Sequence, residues 1–266
     1  MKPRRHALVR LTAAAAALAW PALGSAVQRK SLADPLRLAA DDALVDSGLA
    51  GRLQRAFARD TGVALQVLRG PAAGLLEALE RGEHDAALTN TPELELALEK
   101  QGLAHDRQQV AISDFLLVGP TALVKPLAAG GDVALALSRL AQVQAPFMTR
   151  ADGSGTYLAE LALWRAAQVS PVAPWYLSAA PGATLLAQAR EHNACLLVER
   201  GVWAARGGSK GYAVLVQGDP RMAVPVHVMR SFRVNHPGGK LFVGWVNGRL
   251  GRRVVAAVPG YRVPPR

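Results

Sequence analysis

The sequence predicts a mixed α/β protein of two lobes joined by two crossing strands, with a cleft between the lobes. Three observations lead there. Short apolar runs of strand type alternate with amphipathic segments of helical period from residue 36 to residue 250, the pattern of sheets faced by helices. Two longer extended runs, Val110 to Gly119 and Val224 to Arg233, suit a chain that passes from one lobe to the other and back. Between them a glycine-rich loop, Thr149 to Thr156, opens a helix. Such a helix start leaves its first N–H groups unpaired and favours negative charge. The expected division is residues 27–119 with 224–266 as the first lobe and 120–223 as the second, with ligand at the carboxyl ends of the strands.

The elements follow in order. Leu36 to Ala40 reads as the first strand. Asp46 or Ser47 can cap a helix on which Leu49, Leu53, Ala56 and Phe57 share a face, and Thr61-Gly62 ends it. Val63 to Leu68 is extended, Leu75 to Arg81 helical with Gly82 as its stop, and Asp85 to Thr89 extended. Pro92 suits the first turn of a helix that Gly102 closes. After the first long run, Val133 to Gln142 is helical, and the helix after the central loop runs to about Ala167. Ala183 to His192 is a helix. Ala194 to Val198 and Ala213 to Gln217 are strands, the latter closed by the turn Gly218-Asp219-Pro220. Lys240 to Leu250 is helical.

The first 26 residues have the order of a secretory signal: Lys2, Arg4, Arg5 and Arg10, then the Ala/Leu-rich stretch 11–23, then Gly24-Ser25-Ala26. The expected location is therefore the periplasm, and no later segment has the length of a membrane span. A net charge of +11 with scattered arginines and 5% aromatic residues gives a bias toward anionic ligands. Export argues against a nucleic-acid partner. The single cysteine, Cys195, allows no internal disulfide and sits in the apolar run 194–198, where a small buried hydrophobe is expected. His84, His105, His192, His227 and His236 are widely spaced and suggest no metal site, and no cofactor is indicated. Gly153-Ser154-Gly155 lacks the G-x-S-x-G spacing of a nucleophile elbow, so a serine hydrolase is not expected.

Several stretches occur in an order that resembles a known family: Asp46-Ser47-Gly48-Leu49, Ser113 to Pro120, Thr149-Arg150-x-Asp152-x-Ser154-Gly155-Thr156, Trp175-Tyr176-Leu177, Gly182-Ala183-Thr184-Leu185, Glu199-Arg200-Gly201 and Gly218-Asp219-Pro220. Together, across residues 36–260, they resemble the tungstate-binding proteins of bacterial ABC importers. The resemblance implies a type II periplasmic-binding-protein fold that holds a tetrahedral oxyanion such as tungstate or molybdate between its lobes. It implies delivery of that ion to a membrane permease, by a monomeric binding protein and not an enzyme. Such a dianion accepts hydrogen bonds through all four oxygens, so its site needs donors. The implied set is Arg150 for charge, Ser154 and Thr156 for hydroxyls, and Gly155 for a backbone N–H, with Ala43 from the first-lobe loop. The alternative for Arg150 is a pair with Asp152 or a helix end.

The first-lobe loop departs from the family. Where relatives carry a hydroxyl-rich run, this chain has Asp41-Asp42-Ala43-Leu44-Val45, and Gly70-Pro71-Ala72-Ala73-Gly74 lacks the family's hydroxyl. An ionised carboxylate has no donor and repels an oxyanion. Two explanations stay open at this level. Asp41 and Asp42 could meet a donor group on a different ligand, or serve a sensor-like interaction module. Alternatively they turn to solvent or cap a helix, and the oxyanion is held by the second lobe and backbone.

Overall fold

The computed structural model describes residues 31–180 and 184–265. The stretch expected to be a signal, and Gly182-Ala183 of one family motif, lie outside the described residues. In chain order the elements are β1 (Leu36–Asp41), α1 (Asp42–Asp46), α2 (Leu49–Thr61), β2 (Leu65–Gly70), α3 (Ala72–Glu80), β3 (Ala86–Thr89), α4 (Pro92–Lys100) and β4 (Ala104–Pro120). Then come α5 (Val133–Gln142), β5 (Phe147–Thr149), α6 (Gly155–Ala166), β6 (Tyr176–Ser178), α7 (Leu185–Glu191), β7 (Leu196–Glu199), α8 (Arg200–Ala205) and β8 (Tyr212–Val216). The chain closes with β9 (Ala223–Ser231), α9 (Pro237–Asn247) and α10 (Arg249–Ala256).

The apolar strand β1 lies between β2 and β3, parallel to both. Strand β9 then runs antiparallel to β3 and to β4, whose far half carries β7 and β8, again antiparallel. The seven strands form one curled sheet. A second parallel pair, β5 with β6, joins β7 through the bridge Phe147–Cys195. Strand–helix alternation thus gives parallel neighbours inside each lobe, while β4 and β9 make the shared antiparallel ladder.

Two cores flank the crossing. One gathers Leu36, Leu38, Phe57, Val110, Val226 and Phe242, and the other Phe115, Leu117, Phe147, Trp164, Trp175 and Val224. Both β4 and β9 contribute to each core. On β4 the change comes between Ala111 and Phe115, and on β9 between Val224 and Val226. Ser113 and Asp114 lie in this interval. The Asp114 carboxylate takes a two-pronged ion pair from Arg200 at 2.5 and 2.6 Å, which ties α8 to the crossing strand.

Local sequence explains several boundaries. Gly62 and Gly82 have φ of +73° and +79° just past helix ends, a conformation that favours glycine. Helix α5 has the bounds its pattern predicts, with Asp132 accepting from the Leu135 N–H at 3.0 Å. The segment expected as one helix from Lys240 breaks at Gly248 into α9 and α10. At residue 251 a Cβ would lie 2.4 Å from the Val246 Cα, so this close crossing requires glycine. Cys195 is buried, and burial pushes its thiol up to about 12, as suits an unreactive core side chain. No helix among the described residues is long and apolar enough to cross a membrane.

Candidate functional site

The site is built where β1 ends. Its apolar run brings Asp41, fully buried, to the carboxyl edge of the sheet. There Asp41 caps α1, a short helix unforeseen in the sequence, by accepting from the Ala43 N–H through Oδ1 at 2.9 Å. Its Oδ2 accepts two more N–H groups, from Ala72 and from Gly155, each at 3.1 Å. Ala43 lies beside Leu44 of the first core, and Gly155 opens α6, whose Trp164 is in the second. Three backbone donors thus converge on one carboxylate. Burial pushes the Asp41 carboxyl up to about 6 against the pull of the Gly155 and Ala43 N–H groups, so it is mainly ionised at neutral pH.

Of the expected donors, Gly155 and Ala43 meet at this point through their N–H groups, and what they hold is Asp41. Ser154 is turned to structural use. Its Oγ accepts from the Tyr157 N–H at 3.3 Å as the cap of α6, and its own N–H donates to Asp152 at 3.0 Å. Thr156 lines the cleft. Arg150 takes the pairing weighed above: its Nε donates to Asp152 at 2.8 Å, and Asp42 stands 3.7 Å away. Asp42 also pairs with Arg69 at 2.8 Å, and Arg69 reaches Asp46 at 3.3 Å. A ribbon of alternating charge therefore runs along the cleft mouth.

The floor of the seam is a second buried acid. Glu199, at the end of β7, accepts from the Tyr261 hydroxyl and from the Asn90 amide at 3.2 Å. Tyr261 also lies 2.8 Å from Ser47 Oγ, so the Asp46-Ser47-Gly48 motif helps to place the hydroxyl that meets Glu199. Burial, helped by the neighbouring Asp41 charge, pushes Glu199 up to about 7. Glycine is required at 201 because a Cβ there would lie 2.5 Å from the Tyr261 ring. Beside this seam opens a cleft of about 580 Å³, bordered by Ala43, Thr156, Arg150, Arg69, Trp203 and Arg206.

Of the uses weighed for Asp41, capping a helix is the one observed, at α1, while Ala72 as a donor and the Asn90–Glu199–Tyr261 set were not foreseen. A signal existed for the cap: an Asp directly after an apolar strand and before a helix-competent run is a cap pattern. The others carry no local signal, because they depend on contacts between distant segments.

Helix α6, which presents Gly155, is anchored by Glu160. This buried acid accepts from Tyr176 Oη at 2.6 Å and from the Trp164 indole at 3.3 Å. Burial pushes it from its ordinary 4.5 to about 7. An acid whose pKa rises on folding stabilises the fold most below its unfolded pKa, and that stability is lost as pH rises through the folded value. Between pH 4.5 and 7 the Glu160 contribution should therefore fall by roughly 3 kcal/mol. Glu160→Gln keeps an acceptor for both donors. Its urea-unfolding free energy is expected to change less with pH than that of the wild type over this range, and parallel pH profiles would refute the assignment.

Three comparisons bear on this geometry. Residues 32–246 match the PBP superfamily domain. The chain is 28% identical over 228 residues to the tungstate-binding protein TupA of Peptoclostridium acidaminophilum, covering 83% of this chain and 80% of that protein. Among solved structures, the tungstate ABC transporter protein from Geobacter sulfurreducens superposes with a TM-score of 0.74 at 29% identity, covering 84% of this chain and 98% of that one. The periplasmic molybdate-binding protein of Azotobacter vinelandii superposes with a TM-score of 0.61 at 17% identity, covering 86% and 100%, a likeness of fold.

Proposed function

Because the chain belongs to the PBP superfamily, we propose that it is the solute-binding component of an ABC importer and seats a tungstate- or molybdate-like oxyanion between its two lobes. One observation carries the reading: backbone N–H groups from both lobes converge on a single point, and a negative charge occupies it. A cluster of N–H donors already gathered on a negative charge suits a group that accepts through every oxygen. Arg150 and Thr156 line the adjoining cleft. The relatives at 28% and 29% identity carry tungstate in their names. The lobes are proposed as residues 27–119 with 224–266 and 120–223, a division supported by the two cores that β4 and β9 share. The chain acts by binding and closure, not by a reaction, in the periplasm, as a monomer that docks on a permease.

The test is thermal. Millimolar sodium tungstate or molybdate is expected to raise the melting temperature of the purified protein, since a ligand at a hundred times its dissociation constant adds about 2.7 kcal/mol. Arg150→Ala should reduce that shift. A melting temperature indifferent to tungstate, molybdate, sulfate and phosphate would sink the oxyanion reading.

A further inference from the structure

We propose that Asp41 is the chain's own stand-in for the solute: a tethered carboxylate that holds the lobes together when no oxyanion is present, and that an incoming oxyanion must displace. The exchange half of this inference rests on the function proposed above; the closure half does not.

Both oxygens of Asp41 are committed, Oδ1 to Ala43 and Oδ2 to Ala72 and Gly155. The side chain is fully buried. The Gly155 bond crosses from one lobe to the other. It lies among other crossings: the Ala73 N–H donates to the Gly153 carbonyl at 3.1 Å, and the Asn90 amide donates to Glu199 at 3.2 Å. The acceptor that a free oxyanion would supply to these N–H groups is thus already supplied, from within the first lobe, by a group fixed at the end of β1. A tethered group competes at a high effective concentration. It also carries the same sign of charge as the solute, so the two cannot share the seat in a water-excluded seam. Asp42, beside it, adds negative charge, and its two arginine partners, Arg69 and Arg150, balance that charge at the cleft edge. The oxyanion therefore enters by exchange, with Asp41 swinging out toward those guanidinium groups.

The experiment uses the full chain without its first 26 residues, as wild type, Asp41→Ser and Asp41→Asn. Serine and asparagine both remain good helix caps, so α1 keeps its start. The asparagine amide has the shape of the carboxylate but turns an NH₂ toward at least one of the three donors. Small-angle X-ray scattering is recorded with and without sodium tungstate, and tungstate affinity is measured by calorimetry. The wild type is expected to be compact without tungstate and unchanged by it. Both variants are expected to be more open without tungstate and to close with it, and Asp41→Ser should bind tungstate at least tenfold more tightly than the wild type. Equal radii for wild type and both variants without tungstate overturn the proposal, as does an affinity that Asp41→Ser leaves unchanged or weakens. If the wild type alone is compact and no variant binds any oxyanion, the closing role of Asp41 stands and the oxyanion reading falls. If wild type and Asp41→Ser bind tungstate alike, the oxyanion reading stands and the stand-in falls.

Discussion

Trp164→Ala is expected to lower the unfolding free energy by about 3–5 kcal/mol, the range for truncating a large buried aromatic side chain. Trp164 is 1% exposed, the largest of the fully buried side chains. Its ring meets Phe147 at 5.1 Å, Trp175 at 5.8 Å and Tyr176 at 6.2 Å in edge-on geometry, which suits aromatic quadrupoles. Alanine leaves a void among three rings, Phe147 on β5, Tyr176 on β6 and Trp175 just before β6 with its carbonyl bonded to the Phe147 N–H, so little can collapse into it. It also removes the indole donor to Glu160. The effect should reach the site, because Trp164 is on the helix whose first residue is Gly155. Urea unfolding followed by far-ultraviolet circular dichroism measures the loss. Trp203→Ala is the contrast: Trp203 borders the cleft and is only half-buried. Its removal should cost about 1 kcal/mol or less, as expected where cavity creation is absent. Similar costs for the two would contradict the placement of Trp164 at the centre of the core.

The second large effect is expected at Gly155. A Cβ there would stand 1.8 Å from Asn90 Oδ1 and 2.6 Å from its Cγ. Asn90 is buried on the first-lobe side and is held by its bond to Glu199, so the amide cannot simply turn away. Gly155→Ala therefore forces one of two outcomes: Asn90 gives up Glu199, or the lobes part. Either withdraws the Gly155 N–H from Asp41. Overpacking of this kind costs about 1–3 kcal/mol, equivalent to roughly ten- to hundredfold weaker tungstate binding. Scattering should show a larger radius of gyration, and calorimetry the weaker affinity. Asn90→Ala in the same chain makes room for the new methyl group and should restore part of both. A single Gly155→Ala variant with wild-type radius and affinity would show that the lobes do not meet at this residue.

How far the sequence reaches is clear from particular residues. Helix α5 has its expected ends because an aspartate cap and an apolar stripe are adjacent in the chain. Gly62 and Gly82 stop helices where expected for the same local reason. The central loop and helix, 149–166, were legible as an anion-favouring start because a strand, a glycine-rich bend and a helix follow one another directly. Strand ends were less legible: β4 begins at Ala104, before its more apolar stretch from Val110, because pairing with β9 holds its polar first half in the sheet. Arg150 is set partly by its neighbours in the chain and partly by the fold. Its place beside the loop follows from the sequence, but its pairing with Asp152 and its nearness to Asp42 rather than to an open seat are matters of geometry.

Strand–helix alternation, two long crossing runs, the family resemblance and the position of a donor-rich loop are set by neighbours in the chain, whose preferences act over a few bonds. The tertiary structure alone decided what the donors hold. Residues 43, 72 and 155 are far apart in sequence and offer nothing but backbone N–H groups, which any residue type except proline possesses. The Ala43 bond is a local cap, but only the fold brings the Ala72 and Gly155 N–H groups to the same carboxylate, and so decides that Asp41 is paired with donors and not turned to solvent.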